Sequence, residues 1–151
     1  MALRDVTEDD LEIFFEHQRE PEANLVAAFP ARDRHAFFTH WRTNILGSPS
    51  ALMKTIAVGG EVVGNIGSWD QDGKRLVGFW IGRAYWRRGI ATAALAEFIA
   101  VHEKHRPICA YVAVQNIGSM RALEKCDFLR VGEAVTGDDG VAELLMERVA
   151  I

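Results

Sequence analysis

The sequence predicts an α+β protein with a mixed central β-sheet of about seven strands flanked by about four helices. Three observations support this class. Two segments with helical spacing of apolar residues come first, a hairpin pattern with a Gly-Gly turn follows, and a strand, helix, strand unit lies in the middle of the chain. The 151 residues, 49% of them apolar, are enough for one compact domain, which we expect to span residues 1–151.

The N-terminal third contains two amphipathic helical patterns. Thr7 can cap the first helix, whose opening turn is acidic and whose Leu11 and Phe14 lie on one apolar face. Pro21 is expected to end this helix, because proline cannot continue the hydrogen-bond ladder. A second helix is predicted for residues 33–46, where apolar side chains recur at helical spacing.

The middle of the chain changes to a period of two residues. Leu52–Val58 and Glu61–Trp69 predict a hairpin around Gly59-Gly60, since glycine supplies the positive φ angles that such a turn needs. A third strand, Leu76–Ile81, is apolar on both faces, which is typical of a strand covered on both sides. We therefore place this third strand at the centre of the sheet.

The longest helix is predicted from Arg87 to about His105, and its nearly all-round apolar surface places it in the core. Pro107 then precedes a strand over Ile108–Val114. A strand, helix, strand unit of this kind joins two parallel strands. The remaining segments are predicted as a short helix over about Gly118–Lys125 and a hairpin of Phe128–Val135 with Val141–Val149.

Composition excludes several classes of partner. Seventeen Lys and Arg oppose 21 Asp and Glu, for a net charge of −4, so nucleic acid is not an expected partner. The most apolar stretch, Ile90–Val101, is too short to span a membrane. Neither the cysteines (Cys109, Cys126) nor the histidines (His102, His105) have the spacing of a metal site. We expect no metal, two reduced thiols and, because the N-terminal residues are acidic, a cytoplasmic protein.

A basic loop that contains glycine lies between the central strand and the longest helix. Residues 51–106 carry eight basic and five acidic groups, which suits an anionic ligand. Free N–H groups at the helix start can bind phosphate, Gly89 and Ala91 allow close approach, and Arg87 and Arg88 can add charged hydrogen bonds. Taken alone, Arg-Arg-Gly would indicate only solvated arginines at a turn. The chain has neither GxGxxG nor GxxxxGK[ST], so the usual nucleotide loops are not indicated.

Two motifs resemble those of the GCN5-related N-acetyltransferases, the GNAT family. Residues 86–91, Trp-Arg-Arg-Gly-Ile-Ala, resemble the acetyl-CoA motif [QR]-x-x-G-x-[GA], with Trp86 in place of the commoner Gln or Arg. Their first residue, Trp, and the preceding Gly78–Gly82 are similar to the RimJ/RimL-like branch. Residues 116–128 are similar to N-x-x-S-x-x-x-x-E-K-x-G-F, with Asp127 in place of Gly. With an N-terminal strand and two helices in family order, the resemblance covers essentially the whole chain and implies the GNAT fold.

The resemblance implies acetyl-CoA as co-substrate and gives roles to particular residues. Backbone groups of Trp80, Ile81 and Gly82 would pair with the pantetheine arm, and an N–H there, assigned to Ile81, would polarise the thioester carbonyl. Asn116 would bond the pantetheine, and Ser119 would lie near the thioester sulfur. The N–H groups that would hold the pyrophosphate are those of Arg87, Arg88, Gly89, Ile90, Ala91 and Thr92.

The implied reaction is direct attack of a primary amine on the thioester in a ternary complex. The tyrosine acid of many members is replaced by Leu123, so Ser119 is the substitute by resemblance, although Ser119 is also a suitable helix N-cap. No general base is assigned, because the carboxylate often found at the start of the central strand is replaced by Leu76 or Val77. Other titratable groups are expected to form turns or to be solvated: Asp70, Asp72, Glu16, Glu20 and His17. The alternative function is a non-catalytic acyl-CoA-binding regulatory module.

The identity of the amine acceptor is left open by the sequence. Acceptor specificity in the family comes from the first two helices and the last hairpin; here residues 24–31 are predicted as the loop between the two helices, and residues 137–140 as the turn of the hairpin. Residues 1–50 carry five basic and nine acidic groups, which could attract a cationic amine. This pattern does not distinguish a protein N-terminus from a small-molecule amine. An exposed last strand could also form a homodimer.

Overall fold

The strands form one mixed sheet in the computed structural model, which describes residues 1–149. The seven strands are β1 Ala2–Asp5, β2 Leu52–Val58, β3 Glu61–Gln71, β4 Lys74–Ile81, β5 Ile108–Ala113, β6 Leu129–Thr136 and β7 Ala142–Arg148. Their order in the sheet is β1-β2-β3-β4-β5-β7-β6, and only β4 and β5 are parallel. The predicted α+β class, the mixed sheet and the central position of β4 are confirmed.

Five α-helices lie within the described residues, one more than predicted. They are α1 Glu8–Gln18, α2 Pro21–Ala27, α3 Arg34–Thr39, α4 Ile90–Glu97 and α5 Ile117–Lys125. Both α3 and α4 continue as π-helical turns, His40–Ile45 and Phe98–His102, and a 3₁₀ turn at Arg83–Tyr85 follows β4.

The additional helix is α2, and the loop predicted over residues 24–31 is wrong for its first half. Pro21 follows α1 as expected, but it also occupies the first position of α2, where its missing N–H costs no hydrogen bond. The Glu20 side chain caps the helix by accepting the Ala23 N–H at 2.8 Å. Ala28, in the left-handed region at φ 52°, ends it.

The predicted start of the longest helix at Arg87 is also wrong, because the backbone is not helical there. Arg87 has φ 66° and Gly89 has φ 73°, both in the left-handed region. The right-handed helix can therefore begin only at Ile90. Residues 83–89 instead connect β4 to α4 and begin with the 3₁₀ turn at Arg83–Tyr85.

Helices cover both faces of β4, whose side chains alternate between the faces. The Trp80 indole points toward the α1 side and donates to the His17 carbonyl at 3.4 Å. Phe79 and Ile81 point the other way and pack on the larger hydrophobic core, which contains Phe98 from the end of α4. β4 is thus the covered central strand that its apolar sequence predicts.

The parallel strands β4 and β5 separate along their length. Leu76 and Cys109 are the one pair of residues in register between them within residues 1–149. The C-terminal end of β4, which includes Ile81, consequently has no strand partner on its β5 side. A gap opens in the middle of the sheet, and it positions the site described below.

A buried polar network fixes the other, closed end of this gap. Glu103, just after α4, accepts hydrogen bonds from Ser68 of β3 at 2.5 Å and from Arg75 of β4 at 2.6 Å. Burial raises the pKa of Glu103, but these bonds and the His105 N–H outweigh burial and hold the pKa below its usual value. Glu103 is therefore an ionised group that ties α4 to the two central strands.

A second buried carboxylate joins α1 to the N-terminal edge of the sheet. Asp10 is 3% exposed. Its carboxylate accepts hydrogen bonds from two guanidinium nitrogens of Arg4, at 2.7 and 2.8 Å, and from the Thr55 hydroxyl, at 2.8 Å. Its carboxylate also accepts the Thr7 N–H, so Asp10 belongs to the capping box of α1. Burial raises the pKa of Asp10, but the hydrogen bonds outweigh it and lower the pKa to about 2.

Candidate active site

A cavity of about 480 Å³ lies at the open end of the gap between β4 and β5. Its walls come from α2, the end of β4, the loop before α4, the first turn of α4 and one face of α5. The residues predicted from the sequence that line it are Trp80, Ile81, Arg87, Gly89, Ile90, Ala91, Thr92, Asn116 and Ser119. Gly82 and Arg88, which belong to the same predicted set, are not among the residues that line it.

Ile81 supplies the unpaired backbone at the end of β4. The Gly82 N–H donates to the Val63 carbonyl at 2.8 Å, and backbone direction alternates along a strand, so Trp80 also directs its N–H and C=O toward β3. Ile81 directs its N–H and C=O toward the gap, where the Trp86 indole binds its carbonyl at 2.9 Å. The backbone groups of Trp80 and Gly82 are thus directed toward β3, and Ile81 is the residue of this predicted set whose N–H has no strand acceptor within residues 1–149.

Gly82 has a packing role instead. It is buried, and a Cβ atom placed on it would lie 2.7 Å from Nε2 of His17. The expectation that His17 is solvated is wrong as well, because its Nδ1 is buried and has no hydrogen-bond partner in the described part of the chain. Burial lowers the pKa of His17, which keeps the imidazole neutral at pH 7.

The first turn of α4 presents free N–H groups to the cavity. The first helical hydrogen bond runs from the Ala93 N–H to the Gly89 carbonyl, which leaves Ile90, Ala91 and Thr92 without a helical acceptor. A Cβ atom placed on Gly89 would meet nothing within 4 Å, so the space in front of these groups is open. Free N–H groups at a helix start suit a negatively charged ligand.

The arginines of the loop have different positions. Arg87 lines the cavity and is exposed. Arg88 instead lies over the ring of Tyr85, with its guanidinium carbon 5.7 Å from the ring centroid. Arg83 forms an ion pair with Glu22 of α2 at 2.7 Å and lies over Trp86. Of the two cations predicted to bind phosphate, Arg87 is the one that faces the cavity.

Asn116 and Ser119 line the cavity at the start of α5. Asn116 is the N-cap of this helix, and its Oδ1 accepts the Ser119 N–H at 3.3 Å. Ser119 is consequently not the N-cap, which was the alternative role expected for it. Its hydroxyl has no hydrogen-bond partner within residues 1–149 and is half-buried at the cavity wall. Leu123, at the position of the family's tyrosine, is 2% exposed and belongs to the core.

Glu22 is a residue that the sequence reasoning missed. It is the one acidic side chain lining the cavity among the residues described, and it lies on the helix that was not predicted. The other acids considered are engaged elsewhere, Asp70 with Arg75 at 3.2 Å and Glu20 in the cap of α2. The sequence signal for α2 was Pro21 followed by Glu22, because Pro is common at the first position of a helix and an acidic residue is favourable in its first turn.

Residues 1–149 contain no group of three or more His, Cys, Asp or Glu placed to hold a metal ion. In the same part of the chain, no helix has the length and apolar character needed to cross a membrane. Cys109 and Cys126 are both free and buried, as expected.

Comparison with models of known protein families identifies the family of this chain. Residues 1–129 match the model of the acetyltransferase (GNAT) domain. The chain belongs to the GNAT acetyltransferase family. Among curated proteins, no significant match to this GNAT protein was found. The family-level resemblance of the two sequence motifs is thus confirmed, whereas nothing in the match specifies the RimJ/RimL-like branch.

Solved structures share the fold of this GNAT protein at low identity. An aminoglycoside acetyltransferase, AAC(6')-Ib in complex with coenzyme A, has a TM-score of 0.80 and 19% identity, over 98% of this chain and 94% of that one. Spermidine N-acetyltransferase from Vibrio cholerae, in complex with CoA and spermine, has a TM-score of 0.81 and 12% identity, over 98% and 94%. An acetyltransferase from Thermus thermophilus has a TM-score of 0.79 and 17% identity, over 99% and 96%.

Proposed function

We propose that this protein is an N-acetyltransferase that moves the acetyl group of acetyl-CoA to a primary amine in a ternary complex. One observation carries the proposal: a single cavity joins the free N–H groups at the start of α4 to the free Ile81 N–H in the gap of the sheet. The first group suits a pyrophosphate and the second suits a carbonyl oxygen. A long ligand with a phosphate end and a thioester end fits both.

The residues present fit coenzyme A along this cavity. The N–H groups of Ile90, Ala91 and Thr92 would hold the pyrophosphate, with Arg87 adding charge. The pantetheine arm would enter the gap between β4 and β5 and pair with the backbone of Ile81. The amide nitrogen of Asn116 remains available to this arm, because only its Oδ1 is used by the cap of α5.

The transfer step needs three things from the protein. The amine must be neutral, since a protonated amine has no lone pair, and its nitrogen then attacks the thioester carbon. The Ile81 N–H would stabilise the oxyanion that develops on the carbonyl oxygen. The C–S bond breaks, and the proton lost by the amine nitrogen passes through water to the departing CoA thiolate, with the Ser119 hydroxyl supplying a hydrogen bond to the sulfur. Glu22 lies at the cavity wall as the ion-pair partner of Arg83, and a water held by its carboxylate would receive the amine proton.

The acceptor that we propose is a small-molecule amine or a protein N-terminus. Structural neighbours include an aminoglycoside acetyltransferase and a spermidine N-acetyltransferase, which favours small cationic amines. The RimJ/RimL-like motif favours an N-terminus. The acidic N-terminal third adds little to this choice, because most of its carboxylates are neutralised in ion pairs: Asp5, Glu8, Asp10, Glu12 and Glu16.

We further propose that residues 1–151 form one domain that works in the cytoplasm. The two free cysteines support the cytoplasm, since exposure to an oxidising compartment favours disulfides. A homodimer through β6 is supported by the exposure of every residue of this edge strand.

Thermal unfolding with and without acetyl-CoA tests the proposal. Ligand at 100 times its Kd should stabilise the protein by about 2.7 kcal/mol. Gly89→Glu places a carboxylate in front of the phosphate-binding N–H groups and should abolish this shift. Gly73→Glu is the matched control, because Gly73 has φ 75° and open space like Gly89 but lies in the β3–β4 turn. No shift in the unmodified protein, or equal loss in both variants, would contradict the proposal.

The second candidate function is an acyl-CoA-binding regulatory module without transfer. It is supported by Leu123, which is buried at the position of the family's tyrosine acid, so that no tyrosine hydroxyl is present there to protonate the thiolate. The two functions differ in turnover, because an enzyme releases free CoA thiol when amines are supplied and a regulatory module does not. Thiol release that depends on both acetyl-CoA and an amine would exclude the regulatory module.

A further inference from the structure

One face of strands β5, β7 and β6 is exposed. Ala110 of β5 and Leu144 and Met146 of β7 belong to the core on the α4 side, so the residues between them point to the opposite face. On that opposite face, α1 and α3 pack against β2 and β3 through residues such as Met53 and Val62. The helices therefore cover the first half of this face and leave the second half open.

Side chains on the exposed part form three rows across the strands, which we call the open face. The register of the strands gives a middle row of Tyr111, Leu145 and Val131, flanked by Ala113, Glu143 and Val135 on one side and by Cys109, Glu147 and Leu129 on the other. Large apolar side chains in all three rows are exposed. With about 4.8 Å between strands and about 3.4 Å per residue, the open face measures about 10 by 14 Å.

The strands of the open face present negative charge on it and no positive charge. Glu143 and Glu147 form no ion pair within residues 1–149. The arginines of these strands point the other way, because Arg130 donates to Sδ of Met120 at 3.4 Å and Arg148 donates to the carbonyl that follows α5 at 2.9 Å. A partner of the open face therefore combines apolar groups with positive charge.

The open face adjoins the gap in the sheet. Leu76 and Cys109 are in register, and parallel strands advance together, so Ala113 lies level with the end of β4 beside Ile81. Glu143 pairs with Ala113 and is thus one strand beyond the open end of the gap. In the proposed function the co-substrate reaches the gap from the α4 side. An amine that enters from the opposite side would have the rest of its molecule over the open face.

We propose that the open face binds the first residues of a polypeptide whose N-terminal amine is the acetyl acceptor. This inference rests on the proposed function and narrows its acceptor to a polypeptide with apolar and basic residues next to the amine. The distance from β5 to β6 is about 10 Å, so a chain that advances about 3.4 Å per residue crosses the open face with its first three or four residues. A small amine at the gap would leave the apolar rows uncovered.

A second copy of this chain is a poorer match for the open face. Two open faces placed together would bring Glu143 and Glu147 of both copies into one interface, where like charges repel. A dimer formed through the edge of β6 would extend the sheet and leave the open face free. The charges therefore favour an acceptor polypeptide as the occupant.

Steady-state kinetics of the full chain with synthetic hexapeptides test this assignment. Each peptide has a free N-terminus and lacks lysine, so that it carries one amine. Ala-Leu-Arg-Val-Gly-Gly is apolar and basic, and Ala-Ser-Gln-Ser-Gly-Gly is polar. We expect kcat/KM to be about tenfold higher for the first peptide, through a lower KM, because it covers apolar surface and carries a cation. Glycinamide is too short to cross the open face and supplies the reference activity.

Replacing two exposed members of the middle row tests the apolar contact. Tyr111→Ser/Val131→Ser should raise KM for the apolar peptide about tenfold, with kcat and the activity on glycinamide unchanged. The matched control is Leu46→Ser/Val101→Ser, which removes exposed apolar side chains outside the open face: Tyr111 and Val131 are 46% and 43% exposed, and Leu46 and Val101 are 43% and 60% exposed. Val131→Ser alone, with a smaller rise in KM, replaces the double variant if the latter does not fold.

A charge variant tests the acidic contact separately. Glu143→Gln should raise KM for Ala-Leu-Arg-Val-Gly-Gly about threefold and leave KM for Ala-Leu-Gln-Val-Gly-Gly unchanged, since the second peptide has no side-chain cation. The matched control is Glu133→Gln in β6, because Glu133 lines a groove with Met120 on the α5 side of the sheet. This control should not change KM for either peptide.

The outcomes separate this inference from the proposed function. Turnover of glycinamide with equal kcat/KM for the apolar and polar peptides would overturn the open face as an acceptor site and leave the proposed function intact. A peptide preference that survives Tyr111→Ser/Val131→Ser, or that the control loses equally, would overturn the assignment of these residues. If sedimentation shows a dimer that this variant converts to a monomer with KM unchanged, a second copy occupies the face. No release of CoA thiol with any amine would overturn both proposals.

Discussion

Replacing Gly82 by alanine tests the packing that fixes the end of β4. The added Cβ would lie 2.7 Å from Nε2 and 2.8 Å from Cδ2 of His17. Both distances are shorter than the 3.0 Å within which Cβ atoms essentially never contact other heavy atoms. Gly82 has φ −57°, which any residue adopts, so the steric conflict alone determines the effect. Overpacking of this kind costs about 1–3 kcal/mol, and we expect Gly82→Ala to lower the free energy of unfolding by about 2 kcal/mol.

Urea unfolding at pH 7 and a thermal scan measure this loss. About 2 kcal/mol corresponds to a decrease in Tm of about 4–8 °C for a protein of this size. In a His17→Ala background the ring is absent, so Gly82→Ala should cost less than about 0.5 kcal/mol, and the difference is the coupling energy of the pair. The control is Gly118→Ala, where the new Cβ would meet nothing within 4 Å and stability should not fall. An equal penalty for Gly82→Ala in both backgrounds would refute the packing argument.

Three other predictions use the remaining contacts of the site and of the core. Asp10→Asn should lower stability at pH 7 by about 2 kcal/mol, because the pKa of Asp10 is about 2 when folded against about 3.9 when unfolded. The stabilisation is present above pH 4 and is lost as the pH falls toward 2, so acid unfolding curves of the variant should be flatter over that range. Ser119→Ala should lower kcat about tenfold, because the departing thiolate loses a hydrogen bond, and should leave the Kd for acetyl-CoA unchanged. Stopped-assay kinetics with an accepted amine measure kcat, and an unchanged value would mean that the hydroxyl has no role. Trp86→Phe removes the donor to the Ile81 carbonyl and should cost about 1 kcal/mol in urea unfolding, whereas a neutral effect would mean that water replaces the indole.

Much of the fold follows from local sequence signals. The β2–β3 hairpin begins where expected, because Gly59 and Gly60 take the positive φ values that its turn requires. The central strand follows from apolar residues on both faces, and Asp33 caps the helix predicted from that position. In each of these cases, the determining interactions lie within a few residues of one another, so the sequence contains them.

The errors occur where distant residues decide the structure. Arg87 was expected inside a helix, but it lies in the connection between β4 and α4 and adopts a left-handed conformation there. The use of the Gly82 N–H by Val63 depends on the register of β3 against β4. The position of Glu22 at the cavity depends on how α2 packs, which no local pattern encodes. The candidate site is therefore predictable as a segment but not in its individual contacts.

The gap between β4 and β5 also divides the hydrogen-bonded network of the protein. Strands β1 to β4 and strands β5 to β7 are two blocks of backbone pairing that, within residues 1–149, share a single bridge at Leu76 and Cys109. Amide hydrogens near the gap can therefore exchange with solvent through local opening of one block while the other stays closed. A ligand arm that pairs with both strands would act as an eighth strand and make the two blocks open together. Slower and more uniform hydrogen exchange across the gap would then be a direct sign of an occupied site.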